Sequence, residues 1–233
     1  MTRKTTAPCT VKRIADWLDA TLNVAAFADV SNNGVQIARR SEAVTKVAFA
    51  VDASARMVAA AAAAGAQLLV VHHGISWGGG ITRLTGGVYN VVKAALEADL
   101  ALYAVHLPLD AHPRYGNNYE LARYLGLKNL TPAFAYKGAK IGCIGTLPNG
   151  RRVGVCSGGG GSFAPEAQAL GCDLFITGEA DWGEVIAAEN IGMHMICAGH
   201  YQTETFGVKA LSRALCNHFP LKCLVLDADG CRP

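Results

Sequence analysis

The stretch that most constrains the fold is "GAQLLVVHH", beginning at Gly65, in which a glycine closes an alanine-rich helix, a short apolar run follows, and two histidines end it. A brief apolar run between helical segments reads as a strand buried on both faces, which is what a parallel sheet requires. The same rhythm extends on either side. Behind Thr10, a capping residue, the apolar positions Val11, Ile14, Leu18 and Leu22 recur at helical spacing with Trp17 beside them. The turn "SNNG" leads to strands near 35–37 and 44–51. A helix to Ala64, a strand over 68–71, a helix over about 91–98, a strand over 102–105 and a helix from a cap at Asn118 to Leu125 follow. This alternation predicts an α/β fold with mostly parallel or mixed sheets.

From about 131 to 152 the glycine and proline turns of "KGAKIGCIGTLPNGRRVGV" separate short strands and mark a change of unit. Alternation then resumes through "APEAQAL", "DLFITGE", "WGEVIAAEN", "MHMICAG", "TFGVKALSRAL" and "KCLVLD". "GCDLFITGE", from Gly171, lies well against "GAQLLVVHH", with Leu174 opposite Leu68 and Glu179 opposite His73. "LALYAVHLPLD" and "MHMICAGHYQTE" each end in a histidine followed four residues later by a carboxylate, His106 with Asp110 and His200 with Glu204. The chain thus reads as an internal duplication of two similar α/β units. They divide near residue 128, into 1–128 and 129–233, and the terminal strands are free to cross between them.

A chain of 233 residues, 51% of them hydrophobic, can bury a full core. Its formal charge of +3 is spread without a basic stripe, so nucleic acid is not an evident partner. None of the eight cysteines forms a CxxC pair, and several sit inside apolar runs, which suits free thiols in a reducing cytoplasm. The opening "MTRKTTAPCTVKR" carries charge with no apolar stretch behind it and does not read as a signal peptide. The longest apolar segment, 57–71, is too short and alanine-rich to span a bilayer, so no membrane partner is expected.

In parallel α/β sheets the groups that do chemistry collect beyond the carboxyl ends of strands. Here His72 and His73 follow one strand, His106 another and His200 a third. Pro108 predicts a turn for His106 and Asp110, whereas His200 and Glu204 fall on the first turn of a helix, where residues four apart share a face. A lone His-His pair is structural as often as ligating, and a lone HxxxD or HxxxE is more often a turn or cap. Three such elements at three strand ends, in a chain with seven histidines, point instead to metal. Six ligands exceed what one four-coordinate ion uses, so two divalent transition-metal ions are expected per subunit. The mixed nitrogen and oxygen set suits zinc, iron, manganese and cobalt alike. His112, His194 and His218 fit no ligand spacing and read as structural or surface residues.

Other residues near these strand ends are candidates with two readings each. Ser157, Gly158, Gly159 and Gly160 of "SGGGGS" stand between a strand and a helix, where their amides could bind a phosphate of a substrate or simply make a tight turn. Glu179 suits a catalytic general base, a support for a ligand, or a helix cap. Trp77 and Trp182 could stack a flat substrate or pack in a core or interface.

Five stretches, "VVHHG", "HLPLDAHPRYGNN", "CSGGGGSF", "FITGE" and "AGHYQTE", follow one another in this order and carry a resemblance that extends over nearly the whole chain. Together they resemble the dinuclear-metal-centre family called Nif-three-like, often described as GTP cyclohydrolase 1 type 2 homologues. The resemblance implies two α/β domains per subunit, a two-metal site in the cleft between them, and His72, His73, His106, Asp110, His200 and Glu204 as ligands. It also implies a toroidal homohexamer. The turn "SNNG" departs from the family's acidic "DN-G" pattern, having Asn32 and Asn33 where an aspartate is common. The function implied is metal-dependent hydrolysis of a nucleotide-like or phosphorylated small molecule, with opening of the imidazole ring of GTP as one form. A metal-binding, metal-delivery or regulatory protein without turnover would use the same ligands.

Overall fold

The protein is described by a computed structural model over residues 9–227; the charged stretch before Cys9, and Cys231, lie outside the described residues. In chain order come α1 (Val11–Leu22), β1 (Gly34–Ile37), β2 (Lys46–Asp52), α2 (Ala55–Ala63), β3 (Leu68–His73), α3 (Gly86–Glu97), β4 (Ala101–Ala104), α4 (Leu107–Ala111) and α5 (Asn117–Tyr124). They are followed by β5 (Lys128–Tyr136), β6 (Ala139–Thr146), β7 (Arg152–Cys156), α6 (Ala164–Ala169), β8 (Leu174–Thr177), α7 (Trp182–Asn190), β9 (Met195–Cys197), α8 (His200–His218) and β10 (Lys222–Val225).

Two compact units result. The first comprises residues 9–21, Val30–Val105 and 212–227. Its sheet has the order β1-β4-β3-β2-β10, parallel except for β1, which pairs antiparallel with β4. Leu69 and Val71 of β3, Ala48 and Ala50 of β2, and Leu102 and Ala104 of β4 pack against Met57, Val58 and Ala61 of α2 and Val91 and Ala95 of α3. Residues Val47–Val51 and Leu68–Val71 are buried without interruption, which is why these strands read as continuous apolar runs and not as alternating ones. The helices start where short polar side chains can accept orphan N–H groups: Thr10 Oγ1 accepts from Arg13 and Ser54 Oγ from Met57.

The second unit comprises Leu22–Asp29 and His106–Leu211. Its sheet runs β5-β6-β7-β8-β9, an antiparallel meander through β7 followed by parallel β8 and β9. Alternate side chains fill two cores. Phe134, Cys156 and Phe175 meet α6 and α7 through Ala164, Ala167 and Ala188, while Cys143, Val153, Val155 and Ile176 meet Tyr119, Leu121 and Ala122 of α5.

The echo between the halves covers their central strands. β2-β3-β4 and β7-β8-β9 are both parallel trios connected by helices, but β10 joins β2 in parallel whereas β6 joins β7 antiparallel. The residues also group differently from a division near 128. α4 and α5 belong to the second unit because α5 covers one face of its sheet, and 212–227 belong to the first because β10 hydrogen-bonds to β2. Among the described residues no helix is long and apolar enough to cross a membrane.

Candidate metal centre

In the first unit β3 ends in His72 and His73 themselves, so the strand extends past the apolar run over 68–71. His72 is fully buried, and its Nδ1 lies 3.0 Å from the carbonyl oxygen of Val105. His73 stands opposite Asp52 in the β2–β3 register, with Nδ1 2.8 Å from Asp52 Oδ1. The indole of Trp77 is 6.1 Å from the His73 ring and donates from Nε1 to Gly74 O at 3.0 Å.

In the second unit His106 is the residue before α4, and Asp110 lies within that helix. Pro108 therefore does not impose an open turn. It occupies the first helical turn, where its missing N–H would have had no helical partner and its fixed φ suits the helix. Asp29 holds this end from outside: Oδ1 is 2.9 Å from His106 Nδ1, and Oδ2 accepts the backbone N–H of Leu107 at 2.9 Å. Asp110 is buried, and its Oδ1 accepts from Asn117 Nδ2 at 2.9 Å and from Ser157 Oγ at 3.2 Å.

His200 opens α8 and reaches two carboxylates, Glu179 Oε1 2.9 Å from Nδ1 and Glu204 Oε1 3.2 Å from Nε2. The i, i+4 pair thus shares a helical face as its spacing predicts. The hydrogen bond to Glu204 is the main cause that pushes the His200 pKa up to about 9; burial opposes it and Glu179 adds to it. The loop after β7 crosses directly over this pair. Gly158 has φ +63°, and a Cβ there would overlap Glu204 Oε1 and stand 3.2 Å from His200 Nε2. Only glycine lets the backbone pass so close in that conformation.

One pattern joins the four histidines. Each directs Nδ1 at an oxygen: the Val105 carbonyl, Asp52, Asp29 and Glu179 respectively. An Nδ1–H donated to a carbonyl or carboxylate makes Nε2 the coordinating nitrogen and raises its basicity, the arrangement that accompanies metal-ligating histidine. Histidine and carboxylate side chains of this kind could hold a metal ion. The donor set fits a borderline transition metal better than calcium or magnesium.

The glycine loop is already occupied internally. The amides of Ser157, Gly158 and Gly160 donate to Asn118 Oδ1, Thr203 Oγ1 and Thr177 Oγ1, so these three N–H groups do not form a phosphate cradle. The segment after them is a 3-10 turn and the six-residue α6. Glu179 does not cap α7; Asp181 does, in a reciprocal capping box with Glu184. Asn118 does not cap α5 either, since Gly116 precedes that helix and the Asn118 amide reaches Ile141 O. His112 Nδ1 accepts from Arg114 and Tyr115, and His218 stacks on Trp17 at 5.0 Å, both structural roles. Trp182 is exposed.

Asp29 and Asp52 are the site residues that sequence reasoning missed. Asp52 carried a usable signal, since it ends a strand as the histidines do. Asp29 lies in irregular chain far from His106 in sequence, where no periodicity marks it.

The Duf34/NIF3 (NGG1p interacting factor 3) family pattern matches residues 9–151 and 148–229. The chain is 40% identical to the GTP cyclohydrolase 1 type 2 homolog of Deinococcus radiodurans, with 87% of each chain covered. It is also 40% identical to that of Pyrococcus horikoshii, covering 92% of this chain and 96% of the relative. Among solved structures, the protein ybgI, described as of unknown function, aligns with a TM-score of 0.86 at 32% identity, covering 94% of this chain and 98% of that one. TTHA1606 from Thermus thermophilus aligns with a TM-score of 0.81 at 32% identity and the same coverage. With nearly its whole length matched in sequence and fold, the chain belongs to the Duf34/NIF3 family.

Proposed function

We propose that the protein is a metal-dependent hydrolase with a dinuclear centre, acting on a nucleotide-like or phosphorylated small molecule. The ligands in this reading are His72, His73, His106, Asp110, His200 and Glu204. The observation that carries it is the Nδ1 contact shared by all four histidines, since one oxygen-held imidazole is common and four at strand ends are not. Bound divalent ions would supply Lewis-acid polarisation of the substrate and a lowered pKa for attacking water.

The chain's own residues prepare that chemistry. Asp29, Asp52 and the Val105 carbonyl keep protons on Nδ1 of His106, His73 and His72. Glu179 holds His200 Nδ1 and is 63% exposed at its side chain, so Oε1 or Oε2 can take a proton from attacking water and release it to solvent. The relatives' name, GTP cyclohydrolase 1 type 2 homolog, puts GTP first among candidate substrates.

A second reading is a metal-binding, metal-delivery or regulatory interaction protein. The family's own description favours it, because "NGG1p interacting factor 3" names an interaction and not a reaction. In either case we expect a cytoplasmic protein that closes on itself as a ring of six. Metal analysis of protein purified without chelators, followed by a metabolite assay that includes GTP, tests the proposal. Close to two ions per subunit and turnover lost on Asp110→Asn are expected. One ion or none after reconstitution refutes the dinuclear centre, and full loading without turnover of any metabolite supports the second reading.

A further inference from the structure

Asn117 is fully buried at the first position of α5 and does no helix capping, since Gly116 precedes the helix without a side-chain cap. Its amide faces two groups of opposite character. Nδ2 donates to Asp110 Oδ1 at 2.9 Å, and Oδ1 accepts the backbone N–H of Gly207 at 2.6 Å. An ionised carboxylate only accepts and a peptide N–H only donates, so these partners fix which end of the amide points where. Gly207 lies three residues beyond Glu204 in α8. A Cβ on Gly207 would stand 2.6 Å from Asn117 Oδ1 and 3.0 Å from Leu109 Cγ, so the contact exists only because that position is glycine. The neighbouring Asn118 works on main chain instead, since it binds the Asp110 and Ile141 carbonyls and the Ser157 amide.

We propose that Asn117 is a positioning residue of the metal centre: its one amide selects the coordinating oxygen of Asp110 and sets the spacing between Asp110 and the helix that carries His200 and Glu204. This rests on the metal-centre reading above. Asp110 Oδ1 accepts from both Asn117 Nδ2 and Ser157 Oγ, and two donors on one oxygen compete with coordination by that oxygen. The arrangement therefore assigns Oδ2 to an ion and holds the carboxylate plane in place for it. Through Gly207, the same amide ties the register of α8 to the carboxylate it orients. Neither ligand-bearing helix can slide without breaking a buried hydrogen bond to Asn117.

The test uses the full chain stripped of metal and titrated with Co²⁺ against a competing chelator, with the visible ligand-field spectrum recorded at saturation. Asn117→Asp puts an acceptor where Asp110 needs a donor, Ser157→Ala removes the second donor, and Gly207→Ala pushes on the amide without touching any ligand. We expect Co²⁺ affinity to fall about 10–100-fold in N117D and by less in the other two, with an altered spectrum at saturation. A purely structural asparagine would lower the melting temperature and leave the spectrum as in wild type, so folded variants with wild-type affinity and spectrum overturn the proposal. If N117D does not fold, S157A and G207A decide by the same criteria. Wild-type protein that binds no Co²⁺ overturns the metal-centre reading together with this one, whereas wild-type binding retained in all folded variants overturns this one alone.

Discussion

Gly158→Ala makes the site's dependence on one missing side chain measurable. An L-residue in the left-handed region costs roughly 1–2 kcal/mol, and alanine returns about 0.4–1 kcal/mol by restricting the unfolded chain. The new methyl also occupies the place of Glu204 Oε1, so the carboxylate must leave His200 Nε2, which it meets at 3.2 Å. Losing a charged hydrogen bond costs about 1.5–3 kcal/mol, and the low end applies because the His200 side chain is 37% exposed. The net loss is about 2 kcal/mol, or a fall of roughly 4–8 °C in melting temperature for a chain of this length. Gly159→Ala is the adjacent control. Its Cβ would have Glu179 Oε1 at 3.9 Å as nearest neighbour and its φ is not left-handed, so a change within about 0.5 kcal/mol is expected. Urea unfolding of the metal-free proteins measures both, and metal titration then reads whether the displaced Glu204 weakens binding. If G158A proves as stable as G159A and binds metal equally well, the loop does not constrain the His200–Glu204 pair and the reasoning fails.

Phe134 is fully buried, with ring centroids 5.2 Å from Phe175 and 5.7 Å from Phe163, so Phe134→Ala should destabilise the chain by about 3–5 kcal/mol in the same urea assay. Asp99 accepts from the Arg40 and Ser41 amides, the Ser41 hydroxyl and Arg39, and the Arg40 amide above all pulls its pKa down to about 2. Its stabilisation is complete above the ordinary carboxylate pKa near 4 and is lost as pH falls towards about 2. The stability gap between wild type and Asp99→Asn should therefore be constant above about pH 5 and close between about pH 4 and 2, as read from denaturation midpoints across that range. Burial pushes the Cys143 thiol up to about 12, and raises Cys156 well above the usual thiol value with help from Asp110. Iodoacetamide at pH 8, followed by peptide mass mapping, should label the exposed Cys197 well before Cys143 or Cys156.

Those features whose cause is local were legible in the sequence. The segment Leu68–Val71 announces a doubly covered strand because every residue in it must be apolar, and His200 with Glu204 announces a shared helical face through spacing alone. What stayed hidden depends on partners distant in the chain. Pro108 reads as a breaker until the short helix around it is seen to place it in the first turn. Asn118 looks like a cap until its amide is found on Ile141, and "SGGGGS" looks like a phosphate loop until Thr177, Thr203 and Asn118 are found on its amides. Asp29 supports His106 across many residues of intervening chain, and β10 returns to β2 with no local mark of that destination.

That return has a consequence for the order in which the protein can be made. β2 emerges early from a ribosome, yet its outer edge is covered only when Lys222–Val225 arrive to pair with Lys46–Phe49. The sheet that is begun first is therefore finished last. Until then Val47, Ala48 and Phe49 lie in an apolar strand whose backbone offers an open ladder to any other nascent chain. Synthesis of β10, and not completion of the first hundred residues, sets the moment at which that edge can be protected.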